Sequence, residues 1–249
     1  MSGGRHIFRD LGWNVQAVGD EVHGEAEVIA PLLAPGAGQL RIAVLVAWAD
    51  QLMGLGAAQL VSPRVPVTLE LDVQLLGPAP SAGFVRGRAR LLKSGRSVTF
   101  AACDFFDAHD RRFATAGGSF MLAGDPNVRL PAKLSLDQPR EPARLLEPLA
   151  ARAGCSLRAR GVAALERRAD GLNSSNTIHG GLLGLVAEDS VRSLYDGECL
   201  CSLALRYVRP CRVGPAVAVA TRHGELATVE IADEGSEGRL AVVASARVF

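Results

Sequence analysis

An apolar helical stretch followed by a strictly alternating strand occurs twice in this chain of 249 residues, from residue 42 and again from residue 179. Residues 42–61 are almost wholly apolar, and Val65, Val67, Leu69, Leu71, Val73 and Leu75 then alternate, which gives one strand one buried face. Pro78 and Pro80 end it. Strands follow at residues 84–92, 97–106 and 113–122, separated by polar turns, so the helix leads into an antiparallel meander. In the second occurrence the helix spans residues 179–195 and closes at Asp196-Gly197. Cys199, Cys201, Leu203, Leu205 and Tyr207 alternate, Pro210 ends that strand, and strands at 217–222, 226–232 and 240–249 complete a second meander. A strand is also predicted before each helix, near residues 22–30 and 161–167. Residues 1–123 therefore form one unit and 143–249 another, a duplicated α+β unit. Between them, residues 124–142 carry Pro126, Pro131, Pro139 and Pro142 and read as a linker. Residues 143–153 read as a short amphipathic helix that opens the second unit.

Composition excludes several functional classes. With 48% hydrophobic residues and a net charge of +1, the chain buries enough surface to offset its conformational entropy, so disorder is excluded. The 27 basic residues are balanced by 26 acidic ones with no basic block, which disfavours a nucleic-acid partner. Five cysteines are an odd number in a chain too large to need staples, and this points to a reducing cytoplasm rather than a disulfide scaffold. The first 20 residues include Asp10 and Trp13 and lack the apolar core of a signal peptide.

Residues 42–61 have the length of a membrane span, yet Asp50 lies near the middle and Gly54 and Gly56 weaken the helix. A central Asp costs about 3 kcal/mol on insertion scales. A helix enclosed by its own protein, with no membrane partner, is the better reading. A carboxylate on such a helix must be paired, protonated or used, so Asp50 is either a structural acid or a functional one.

The order of strand, long helix and curled antiparallel meander resembles the hotdog fold, and the stretch Asn173-Ser-Ser-Asn-Thr-Ile-His-Gly-Gly-Leu-Leu-Gly-Leu-Val-Ala-Glu188 makes the resemblance specific. It is similar to thioesterases of the phenylacetate and 4-hydroxybenzoyl-CoA type, in which an Asn or Gln precedes His-Gly-Gly by six residues and an acid follows the His by nine. Asn173, His179-Gly180-Gly181 and Glu188 occupy those positions. The resemblance implies two fused hotdog units sharing one sheet as a pseudo-dimer, able to assemble further into homo-oligomers. It also implies an acyl-CoA thioesterase that needs no metal or organic cofactor.

Hydrolysis of a thioester builds negative charge on the carbonyl oxygen, which unpaired N–H groups at a helix N-terminus can hold. The resemblance assigns carbonyl polarisation to the Gly180 amide, substrate positioning to Asn173, and orientation of the thioester or its sulfur to His179. The acid acts as nucleophile or as base for water. Along a helix, however, nine residues are 2.5 turns, so Glu188 lies about 13.5 Å from His179 and on the opposite face. A working site needs its acid from a neighbouring helix. Aligning Asp50 with Glu188 places Arg41-Ile42-Ala43 where His-Gly-Gly stands and Pro35 where Asn173 stands. The first repeat thus retains the acid without the donors. One competent site per chain is expected, joining Asn173, His179 and Gly180 to Asp50, and this context favours a functional Asp50.

Gly181, Thr68 and Glu188 are candidates for substrate contact. Related enzymes often place a Ser or Thr four residues after the acid to hold water; Gly54 and Arg192 stand there in this chain, and Thr68 is the substitute hydroxyl. The adjacent acids Glu188 and Asp189 are expected to pair with Arg192 on their own helix. Arg64, Arg209 and Arg212 flank the strands, either as contacts for the phosphates of coenzyme A or as ordinary surface charges. Gly36-Ala-Gly38 reads as a loop, Cys199 and Cys201 as small buried residues without zinc spacing, and His23, His109 and His223 as solvated turn residues. Two competing readings are a non-catalytic acyl-CoA-binding protein and a hotdog hydratase or dehydratase.

Overall fold

The computed structural model describes residues 6–130 and 142–249. Its elements are α1 (Ile7–Asp10), β1 (Asn14–Val18), β2 (Glu21–Glu27), α2 (Ile42–Val61), β3 (Pro66–Leu75), β4 (Phe84–Ser94), β5 (Val98–Phe106) and β6 (Arg112–Leu122), followed by α3 (Leu149–Ala153), β7 (Cys155–Ala159), β8 (Val162–Leu165), α4 (Gly180–Arg192), β9 (Leu200–Tyr207), β10 (Ala216–His223), β11 (Leu226–Asp233) and β12 (Arg239–Val248).

All twelve strands join one antiparallel sheet in the order β1-β2-β4-β5-β6-β3-β9-β12-β11-β10-β8-β7. The second half of that order repeats the first in reverse, as a pseudo-twofold axis requires. The axis falls where β3 pairs with β9, through Glu70↔Arg206, Leu71↔Leu205, Asp72↔Ala204, Val73↔Leu203 and Gln74↔Ser202. The chain is therefore two fused hotdog units with a shared sheet, and the two long helices pack against each other inside it.

Residues 42–61 are helical throughout, and every residue from Ile42 to Asp50 is buried. By length and composition this helix could cross a membrane, but most of it is enclosed by protein. Continuous apolarity here reflects burial from all sides, since sheet covers it and α4 crosses it.

The four-strand meander expected after each helix is corrected. Only β4-β5-β6 and β10-β11-β12 are meanders, because β3 and β9 stand beside β6 and β12, on the side away from β4 and β10. Residues 76–83, with Pro78 and Pro80, carry the chain from β3 across to β4. This arrangement leaves β3 and β9 free to pair with each other. The edge strands β1 and β7 extend each unit by a hairpin that the sequence reading did not include. The helix expected over 143–153 is shorter, Leu149–Ala153, starting only after Pro148 and stopping at left-handed Gly154. The second long helix is Gly180–Arg192 with His179 as its N-cap, and residues 193–195 continue only as tight turns. It closes when the Gly197 N–H donates to the Arg192 carbonyl, with Asp196 and Gly197 both left-handed. Pro131 and Pro139 of the expected linker lie outside the described residues. Before them, the Leu130 N–H donates to the Pro63 carbonyl, so this stretch lies along the first repeat.

Candidate active site

The start of α4 faces the middle of α2. His179 has extended backbone and caps the helix, its Nδ1 accepting the Gly181 N–H at 3.1 Å. The Leu182 and Leu183 N–H groups donate to the His179 carbonyl. Among the described residues the Gly180 N–H has no acceptor, so one first-turn donor remains available.

The two motif glycines answer different steric demands. A Cβ on Gly180 would lie 3.0 Å from Tyr207 Oη and 3.2 Å from Asp50 Oδ2. A Cβ on Gly181 would lie 2.7 Å from both Cα and Cβ of Ala47, and one on Gly184 would lie 3.0 Å from Val46 Cγ1. Gly180 opens the space beside the acid, whereas Gly181 and Gly184 let α4 approach the backbone of α2.

Asp50 is buried, and its Oδ1 accepts the Thr68 hydroxyl at 2.7 Å. Thr68 reaches it because β3 carries a bulge between Thr68 and Glu70, which re-aims the side chains that strict alternation would place. Burial raises the Asp50 carboxyl from 3.8 to about 6, opposed by the Thr68 hydrogen bond. His179 Nδ1 lies 3.6 Å from Asp50 Oδ2, close enough for an ion pair. The imidazole is nevertheless neutral, because burial and the neighbouring His6 push its pKa down to about 3. Since Nδ1 accepts the Gly181 amide, the hydrogen bond assigns the ring proton to Nε2.

The pseudosymmetry-related place is filled. Arg41, the N-cap of α2, is fully buried; its Nε donates to Glu188 Oε2 at 2.9 Å and its Nη2 pairs with Asp189. Glu188 Oε2 also accepts the Ala43 N–H at 3.3 Å. The expected pairing of these acids with Arg192 is therefore corrected. They reach across to Arg41, while Arg192 donates to the carbonyls of Pro35, Gly197 and Glu198. The cause is packing: the α4 face bearing Glu188 lies against the start of α2, where the guanidinium is enclosed.

The structure thus brings Asp50, Thr68, His179 and Gly180 together. It places Glu188 with Arg41 instead, and Gly181 in the helix contact with its N–H taken by His179. Asn173 turns its carboxamide oxygen to its own loop, accepting the Ser175 and Thr177 N–H groups, so it shapes the approach to His179. Arg64 and Arg209 each donate to a main-chain carbonyl, of Ala123 and Leu240. The Arg212 main-chain N–H donates to Asp233, and His23 pairs with Glu21 within β2. All five cysteines are free, and Cys199 and Cys201 are half-buried rather than buried. Among the described residues no three His, Cys, Asp or Glu side chains cluster as metal ligands.

Three neighbours escaped the sequence reading. Phe8 presents an edge-to-face contact to the His179 ring, with centroids 4.2 Å apart. His6 contacts the Leu172 carbonyl through Nε2 at 2.9 Å. The Tyr207 hydroxyl donates to the Gly180 carbonyl at 3.1 Å. The alternation over Leu203, Leu205 and Tyr207 gave the one available signal, by placing Tyr207 on the inward face. For His6 and Phe8 the long separation from residue 179 hid the contact.

Residues 42–114, which include α2 and Asp50 but not the His-Gly-Gly stretch, match the family model of the Thioesterase superfamily. Comparison with curated proteins gives no match. The fold is similar to a 12:0-ACP thioesterase from Umbellularia californica, with TM-score 0.63 and 13% identity over 93% of this chain and 98% of that one. It is also similar to an acyl-ACP thioesterase from Bacteroides thetaiotaomicron, with TM-score 0.62 and 13% identity over 92% of this chain and 98% of that one. The family match supports thioester hydrolysis as the general class of reaction, and the two structures share the double architecture. This chain is a tandem hotdog protein, and residues 42–114 of its first repeat are similar to the Thioesterase superfamily.

Proposed function

We propose that this protein is an acyl-CoA thioesterase with one competent site per chain, formed between the start of α4 and the middle of α2. The observation that carries this reading is the unpartnered Gly180 N–H beside the buried Asp50 carboxylate. An oxyanion donor and a general base from different helices then face one space. In the reaction, Asp50 takes a proton from water as the water oxygen bonds to the thioester carbon. The carbonyl electrons move to the oxygen, which the Gly180 N–H and the N-terminal end of α4 stabilise. When the tetrahedral adduct collapses, the C–S bond breaks and the thiolate recovers the proton from Asp50. Neutral His179 orients the thioester through its Nε2–H. Asn173 acts indirectly, by holding the loop that leads to His179.

The second place serves no catalysis in this reading, because Arg41 neutralises Glu188 there. A cytoplasmic setting accords with five free cysteines. We also propose the unit boundaries 1–123 and 143–249, with further association of the pseudo-dimers. The test is free-thiol release from a panel of short, aromatic and long acyl-CoAs, run beside the same acyl groups on acyl-carrier protein. The reading predicts release from coenzyme A thioesters. Tight binding without release would favour a binding protein, and release confined to the carrier protein would replace the substrate class.

A further inference from the structure

The site described above lacks the hydroxyl that follows the acid by four residues in related enzymes, since Gly54 and Arg192 stand there. Two hydroxyls reach the same space from the central strands β3 and β9. Thr68 gives its proton to Asp50 Oδ1. Tyr207, the last residue of β9, gives its proton to the Gly180 carbonyl. The space above the Gly180 Cα is bordered by both Tyr207 Oη and Asp50 Oδ2, at 3.0 and 3.2 Å from where a side chain would begin.

Resting on the thioesterase reading, we infer that Tyr207 is the positioning residue of this site: its hydroxyl fixes the Gly180 peptide and offers an oxygen lone pair that orients the attacking water toward Asp50. The geometry divides the hydrogen bonds in one consistent way. A phenol has one proton, already given to the Gly180 carbonyl, so toward the site Tyr207 is an acceptor only. Water between it and the acid then directs one O–H to Tyr207 and the other to Asp50. Its own lone pair is left for the thioester carbon. As the C–O bond forms, the proton facing Asp50 moves to the carboxylate, and the proton facing Tyr207 stays on oxygen. Burial and the nearby Asp50 charge hold the phenol protonated well above its ordinary range, so Tyr207 orients without ionising. In the first repeat the pseudo-equivalent position, the matching end of β3, is Leu75, and the acid on that side, Glu188, is occupied by Arg41. A hydroxyl accompanies only the acid that is unpaired with a guanidinium.

The experiment compares wild type with Tyr207→Phe, which keeps the ring and removes the oxygen. The expected result is a fall of about 10-fold in kcat, as for loss of one neutral hydrogen bond. KM should stay unchanged, as should binding of a non-hydrolysable thioether analogue. Retained analogue binding separates the effect from misfolding. An unchanged kcat, or a loss confined to KM and analogue binding, overturns the inference while leaving the hydrolytic reading intact. A wild-type protein that releases no thiol overturns that reading and this inference together.

Discussion

One methylene separates the two acids that occupy equivalent places on the long helices. Glu188 is long enough to reach the Ala43 N–H at the start of the opposite helix and closes its own site. Asp50 is shorter, and the N–H equivalent to that of Ala43, on Gly181, is held by His179 Nδ1 instead. Asp50→Glu is predicted to lose activity despite keeping a carboxylate, by about 100-fold or more, since the longer side chain would fill the space beside Gly180 that Asp50 Oδ2 already borders. Steady-state thiol release measures this. The raised carboxyl pKa also fixes the pH dependence. Asp50 works as a base only when ionised, so kcat/KM should fall as pH drops below about 6. The stability consequence has the opposite sense. A carboxyl raised in the folded state favours folding below its unfolded value and loses that contribution as pH rises through about 6. Asp50→Asn should thus be inactive yet more stable at pH 8, by up to about 3 kcal/mol, with the gain vanishing near pH 4. Denaturant titration at both pH values checks it. Asp50 was legible in the sequence because a lone acid in an apolar helix demands an explanation. Thr68 was legible only as a nearby hydroxyl, since its aim depends on a strand bulge that alternation conceals.

At the scale of elements, α4 can approach α2 only because it carries glycine where α2 carries Ala47 and Val46. Two substitutions of the motif should consequently fail differently. Gly180→Ala puts a methyl against Asp50 and Tyr207, and should cut turnover while sparing the fold. Gly181→Ala drives a methyl into the α2 backbone, and should cost about 1–3 kcal/mol of stability from overpacking. Thermal unfolding beside kcat separates them. At the other end of the contact, Arg41 with Glu188 and Asp189 is a buried ion cluster that ties the repeats. Removing the guanidinium in Arg41→Ala leaves the buried Glu188 without its counter-charge and should destabilise by about 3–5 kcal/mol. The alignment of the two helices was readable from the acids alone, and both aligned residues, Arg41 and His179, cap their helices. The destination of Glu188 was not readable, because an i, i+4 partner on the same helix competes in sequence with one across the interface.

Over the whole molecule, the repeat predicted the pseudo-dimer, but strand order within each unit escaped the sequence reading. Periodicity shows which face of a strand is buried and says nothing of which neighbour it pairs with, so β3 was placed beside β4 instead of between β6 and β9. That placement matters for function, since the central pair carries Thr68 and Tyr207 to the site from the two repeats. Because Asp50 and Gly180 meet within one chain, mixing inactive Asp50→Asn and Gly180→Val proteins should restore no activity. Recovery on mixing would mean that repeats of different chains pair. The most direct test of the account compares thiol release by Asp50→Asn and Glu188→Gln. Asp50→Asn is predicted to lose turnover by about 100-fold or more. Glu188→Gln is predicted to keep turnover near the wild-type level; the reverse pattern would contradict a site built on Asp50.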